Sequence, residues 1–175
     1  AVYFKSRWAE TFQDEQTKLE PFFVRGTKSE EVMTMINCWE YGYRKERGYT
    51  AVTLPYEGKD LQMLILLPDA KDGVAALEKG LSQRKLSSFG DLPARRVTLH
   101  LPRFKMQLPP LALSETLQGL GLKRAFDIPK RSADFSRMAV RKPDDYLYIS
   151  NVKHRTFIDV NEEGTEAAAA TAVIM

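Results

Sequence analysis

Apolar and polar residues alternate with a period of two along much of this chain, the pattern of strands with one buried face. Residues 1–8 begin it, with Val2 and Phe4 on one side. Residues 14–19 are polar and read as a loop, residues 20–24 as a short strand, and residues 26–28 as a turn. Residues 32–44 predict a long strand or a bent pair. Residues 49–56 predict another, and Glu57-Gly58-Lys59-Asp60 turns it into a return strand at 61–68. That return strand is nearly all apolar, which predicts burial on both faces. Residues 96–106 alternate strictly, with Val97, Leu99 and Leu101 on one side, and Pro102 marks an edge or a break. Residues 146–160 read as one very long strand that runs straight into the tail.

Three stretches follow the helical period instead. Val74, Leu77 and Leu81 share a face within 73–81, and Leu86 and Phe89 continue the pattern over 83–89. Residues 113–122 predict a short helix with Ser114 as its N-cap. Strands dominate and helices are few, so the fold class is α+β with antiparallel sheets. No internal repeat, linker or domain boundary is evident.

The tail, residues 161–175, is different in kind. It is a run of very small residues that starts at Asn161-Glu162-Glu163-Gly164. Intrinsic propensity favours a helix over 166–172, with Thr165 able to cap it. Extended, the same residues sort into two faces. Thr165, Ala167, Ala169, Thr171 and Val173 lie on one face; Glu166, Ala168, Ala170, Ala172 and Ile174 lie on the other. The first face carries no charge and no large side chain, so it can slip beneath existing strands. Gly164 supplies backbone freedom at the join. A segment with weak commitment to any one state suits a conformational switch.

Composition narrows the chemistry. The chain has 175 residues, 43% hydrophobic and 28% charged, as expected of one soluble globular domain. Its net charge of +3 is spread among mixed signs and argues for neither a nucleic acid nor a membrane partner. No apolar run approaches the roughly 20 residues that span a bilayer. The start at Ala1, within a strand pattern, reads as a processed or truncated edge. Cys38 is the one cysteine, so no internal disulfide forms. His100 and His154 each stand alone in a strand, so no metal site or cofactor is expected. No Gly-x-Ser-x-Gly elbow occurs, and Gly119-Leu120-Gly121 ends a helix rather than cradling a phosphate. Scattered basic residues (Arg84, Lys85, Arg95 and Arg96, then Lys123, Arg124, Lys130 and Arg131) read as a solvated face more readily than as a polyanion site. Trp8 and Trp39 read as packing residues.

Glu162-Glu163-Gly164-Thr165-Glu166-Ala167-Ala168-Ala169-Ala170, followed by Thr171, resembles the hinge of the reactive centre loop of an inhibitory serpin. Residues 1–8 resemble the third strand of that family's central sheet, with Trp8 at the breach position. Leu66-Leu67-Pro68 resembles the end of a buried hairpin, and Leu99-His100-Leu101-Pro102-Arg103-Phe104 a signature strand. Val152-Lys153-His154 resembles the fifth central strand, with His154 at the shutter position.

The resemblance covers residues 1–175 as one partial serpin domain, about half of the whole, without the N-terminal helices and the last strands. It implies a large antiparallel-dominated central sheet, two further sheets and surface helices. It also implies a bait rather than an enzyme. A serine protease attacks the exposed loop and forms a covalent acyl complex, and the cut loop then enters the sheet as a new strand and distorts the protease. Residues 161–175 would be hinge and proximal loop, with Thr165, Ala167, Ala169 and Thr171 inward after insertion. The scissile bond would lie beyond Met175. Complementary fragments of the same molecule, weak glycosaminoglycan binding, a cleaved form and secretion are the further expectations, with a cytoplasmic member as the alternative to a secreted one. A non-inhibitory serpin, carrying a hormone or acting as a chaperone, is the alternative function.

Overall fold

The computed structural model describes residues 2–24, 26 and 28–175. Ala1, Arg25 and Thr27 lie outside the described residues; of the expected turn at 26–28, Gly26 is described as a turn residue with a φ of 79° and Lys28 begins a strand. Among the described residues, ten strands and three short α-helices follow one another. β1 (Val2–Arg7), β2 (Lys18–Val24), β3 (Lys28–Glu46), β4 (Tyr49–Pro55) and β5 (Gln62–Pro68) come first. Then come α1 (Val74–Lys79), α2 (Gln83–Ser87), β6 (Ala94–Pro102), β7 (Phe104–Gln107) and β8 (Leu111–Ala112). The chain finishes with α3 (Ser114–Gly119), β9 (Asn151–Val160) and β10 (Gly164–Ile174).

The strands form two five-stranded sheets. In one, the order is β2-β3-β4-β5, with β6 also paired to β3. β3 is a single strand of 19 residues that serves several partners. Its first part pairs with β2, from Lys28 opposite Val24 to Thr34 opposite Lys18. Its middle pairs with β6, and its end pairs with β4 from Gly42 opposite Thr53. The two further sheets that the sequence implied therefore share one backbone. In the other sheet the order is β1-β10-β9-β7, with β8 also on β9.

The chain divides into two compact units. Residues 5–104 with 160–165 form one. Its centre is Tyr49, Ala51, Phe89 and Leu92, packed by Leu64, Leu66 and Leu77. Tyr49 and Phe89 meet edge to face, 6.3 Å between centroids, a favoured aromatic geometry. The apolar residues Leu77 and Phe89 thus close over the β4–β5 hairpin. Residues 1–4, 105–159 and 166–175 form the other unit.

The alternation over 96–106 is split where Pro102 marks the break: β6 ends at Pro102, opposite Thr34 of β3, and β7 joins the other sheet beside β9. Local detail departs from the sequence pattern in three places. β5 is not buried on both faces: it is the last strand in its sheet order, and Gln62 and Leu67 are exposed. Ser114 does not cap α3. Its hydroxyl donates to the Asn151 side chain (3.2 Å) and accepts from the Val152 amide (3.0 Å), tying α3 to β9 instead. The long strand expected over 146–160 begins only at Asn151. Upstream, the Tyr146 hydroxyl is claimed by Asp127 (2.7 Å) and the Ile149 amide by the Ala125 carbonyl (2.8 Å), so these residues follow the preceding loop rather than a strand ladder.

Candidate functional site

The tail is strand, not helix. β9 and β10 form an antiparallel hairpin closed at both ends: the Asn161 amide donates to the Gly164 carbonyl (3.1 Å), and the Ser150 amide to that of Ile174 (2.8 Å). Asn161 makes the turn. Its side-chain oxygen accepts from the amides of Glu163 (3.0 Å) and Gly164 (3.2 Å), the Asx arrangement that suits this residue to reversals. Tertiary pairing overrides the helix propensity of the alanines, because β10 has a hydrogen-bonding partner at each edge, β1 and β9.

At the base of the hairpin, Trp8 is 3% exposed. Its amide donates to the Glu163 carbonyl (2.9 Å) and its indole N–H to the Asn161 carbonyl (2.8 Å). The indole stacks on Tyr56 at 4.8 Å and 12°, and Phe12 meets it edge-on at 6.4 Å. The Tyr56 hydroxyl donates to Oγ1 of Thr165 (3.0 Å), and Thr165 is 5% exposed. Burial pushes the Tyr56 phenol above its ordinary range, and the Thr165 bond pulls the other way. A buried phenol with a partner keeps its proton, so this is a neutral bond at any ordinary pH.

Gly164 is required by space. An added Cβ would stand 2.1 Å from the Ser6 carbonyl oxygen and 2.8 Å from the Arg7 Cα, both backbone atoms that cannot yield cheaply. Its φ is not among the positive ones, so close approach rather than left-handed freedom selects glycine here.

Glu162 is 7% exposed. Its Oε1 accepts from Thr17 Oγ1 (2.8 Å) and from the Arg103 guanidinium (3.3 Å), and its carbonyl accepts from the Phe12 amide (3.0 Å). A buried carboxylate needs such donors to offset its lost hydration. Glu163, by contrast, is exposed. Together with Asp14, Met33 and Asn161, these side chains line an open cleft of about 490 Å³.

Further along the hairpin, His154 Nδ1 lies 2.9 Å from Thr171 Oγ1, so the two expected site residues meet. Glu166 accepts from the Tyr3 hydroxyl (3.2 Å). Inward burial fades along β10. Ala167, Ala168 and Ala169 are half-buried, while Ala170 and Thr171 are exposed. Val2 and Tyr3 on β1 are exposed as well. This stretch of the sheet carries no covering layer among the described residues.

Three participants were missed in the sequence: Thr17, Tyr56 and Arg103. Asn161 fell within the expected hinge at 161–175, and its signal as a turn residue was that of an Asx residue between two strand patterns. The others reach the site from distant parts of the chain, and nothing in one sequence pairs Tyr56 with Thr165. Among the described residues no cluster of His, Cys, Asp and Glu could hold a metal ion.

Comparison with known proteins fits this arrangement. A family model described as Serpin (serine protease inhibitor) matches residues 1–175. Serpin B4 of Homo sapiens is 38% identical over 100% of this chain and 44% of its own length. The leukocyte elastase inhibitor of Bos taurus is 40% identical over 99% of this chain and 47% of its own. Among solved structures, Cleaved Serpin 42Da superposes with a TM-score of 0.84 at 37% identity, covering 98% of this chain and 45% of that one. The chain therefore spans a little under half the length of the curated relatives it matches. Relatives of this B type are intracellular, which corrects the expectation of a secreted protein. Members of the family are mostly protease inhibitors rather than catalysts. Matched along its whole length, and at about 40% identity to curated members, the chain belongs to the serpin family.

Proposed function

We propose that this protein is a suicide-substrate inhibitor of serine endopeptidases, with residues 161–175 as the hinge and proximal part of its reactive loop. One observation carries the reading: the alanine-rich β10 lies between β1 and β9 in the sheet. A loop in water leaves its amides and carbonyls to solvent, whereas a strand paired at both edges satisfies them within the protein. Small side chains let the strand enter without displacing the layer beneath, and Gly164 lets it start hard against Ser6 and Arg7. Apart from Glu166, every residue from Gly164 to Ala172 is small, which favours this reading over a hormone carrier or chaperone.

In this mechanism the protease serine attacks the carbonyl of a bond beyond Met175, and the new amine leaves. The acyl ester keeps the protease attached to the upstream segment. Entry of that segment between β1 and β9 competes with hydrolysis of the ester by water. Once Thr165 reaches the Tyr56 hydroxyl, the hinge is seated, and the rest of the strand follows with its cargo. Strain released on insertion supplies the driving force.

The test is a covalent complex stable to denaturing electrophoresis, assayed against elastase-, chymotrypsin- and trypsin-like proteases. The intact protein should form one with at least one class. Thr165→Arg should lose it and be cleaved as a plain substrate, because an unpaired charge would be driven into a buried position at a cost of several kcal/mol. Undiminished complex formation by that variant would remove Thr165 from the mechanism. Cleavage of the natural protein without any complex, across all three classes, would instead favour the non-inhibitory alternative.

A further inference from the structure

We propose that the segment from Leu120 to Lys142 is a docking surface for anionic lipid membrane. The chain's net charge of +3 conceals a strong asymmetry. Seven of the twenty residues from 123 to 142 are Lys or Arg and two are Asp, a local net charge of +5. Much of that charge is unspent. Arg131 pairs with Asp144 (2.9 Å) and Lys142 with Asp145 (3.5 Å). Lys123, Arg124, Lys130, Arg137 and Arg141 form no ion pair among the described residues. The Arg141 guanidinium donates to the Arg131 carbonyl (2.5 Å) and lies 5.2 Å from the Tyr146 ring centroid, which ties residues 137–142 back against the loop.

Apolar side chains are interleaved with this charge and stand out in solvent. Leu120 is 81% exposed, Met138 66% and Val140 82%. Each sits within three or four residues of a cation: Leu120 before Lys123 and Arg124, Met138 and Val140 between Arg137 and Arg141. A sulfated polysaccharide or a nucleic acid would use the cations and leave these side chains wet. A bilayer surface uses both, the cations at the headgroups and the apolar tips at the acyl boundary. No ring in this segment is exposed for stacking a base: Phe126 is buried and Phe135 half-buried. No helix of the described residues is long and apolar enough to cross a membrane. Membranes facing the interior of a cell carry the anionic lipid that such a surface needs, in keeping with the intracellular relatives.

The experiment is co-sedimentation of the intact protein with vesicles of phosphatidylcholine alone or with about 30% phosphatidylserine. Binding is expected on the anionic vesicles only, and it should weaken with added salt. Lys123→Glu with Arg137→Glu should cut the bound fraction by about tenfold or more. Met138→Ser with Val140→Ser should also weaken it while leaving all charges in place. Unchanged complex formation with protease would show that both pairs of variants remain folded. The proposal fails if the natural protein binds neither vesicle or binds both equally. It also fails if the serine variants bind as well as the original, since the partner would then be a polyanion, and retention on heparin beads would identify it.

Discussion

Tyr41 shows how much one hydroxyl can reveal. The residue is buried, and its oxygen has no hydrogen-bond partner among the described residues. Burial, with the charges of Glu10 and Cys38 adding to it, pushes the phenol up to about 12 from 10.0. A group whose folded pKa is raised contributes stability that is whole below its unfolded value and is lost as pH rises through the folded one. Alkaline unfolding should therefore set in between about pH 10 and 12. Tyr41→Phe removes both the orphaned oxygen and the ionisation. It should be neutral or stabilising by up to ~1 kcal/mol at neutral pH and should move the alkaline onset upward, as thermal melts across pH would record. A clear loss of stability at neutral pH would mean the hydroxyl has a partner.

Among the elements, the loop after α3 depends on Asp127. Burial raises its carboxyl, but the amides of Arg131, Ser132 and Ala133 and the Tyr146 hydroxyl together hold it below its usual 3.8. The depressed group stabilises the loop above pH 3.8, and that contribution disappears as pH falls through the lower folded value. Amide exchange over residues 131–133 should be slow at neutral pH, and its protection should be lost below about pH 4. Asp127→Asn should give the fast pattern at neutral pH. The same bond from Tyr146 explains why period-two alternation misled at residues 146–150. Alternation reports which side chains could share a face, not which backbone groups are already taken. The β4–β5 hairpin was legible, because its turn and its apolar return strand are local signals. The state of residues 164–174 was not, since helix propensity and strand pairing oppose each other there and only β1 and β9 decide between them.

At the scale of the molecule, the family was readable from short motifs at 1–8, 99–104 and 162–171. The hinge residues stood out from that likeness as a contiguous run, yet their anchors were invisible. Thr17, Tyr56 and Arg103 lie up to 145 positions from the tail residues they hold. Secretion was the one expectation that the relatives overturned, and it had rested on the habit of the larger family rather than on any residue. Four cations of the basic segment at 123–142 (Lys123, Arg124, Lys130 and Arg131) read as a solvated face, because a sequence does not show which apolar side chains stand exposed among them.

Trp8 turns the hinge into an optical gauge. Its indole is sealed from solvent, lies flat on Tyr56 and bonds to the Asn161 carbonyl, while Tyr56 in turn grips Thr165. Withdrawal of the tail would break the Thr165 bond and unseat the turn beneath the indole. With the exposed Trp39 replaced by Phe, emission would come from Trp8 alone within this chain, and its colour should shift toward the blue as the ribbon seats itself after protease attack. The wavelength would then report, in real time and without a label, the race between seating and hydrolysis, and Thr165→Arg should leave it where it began.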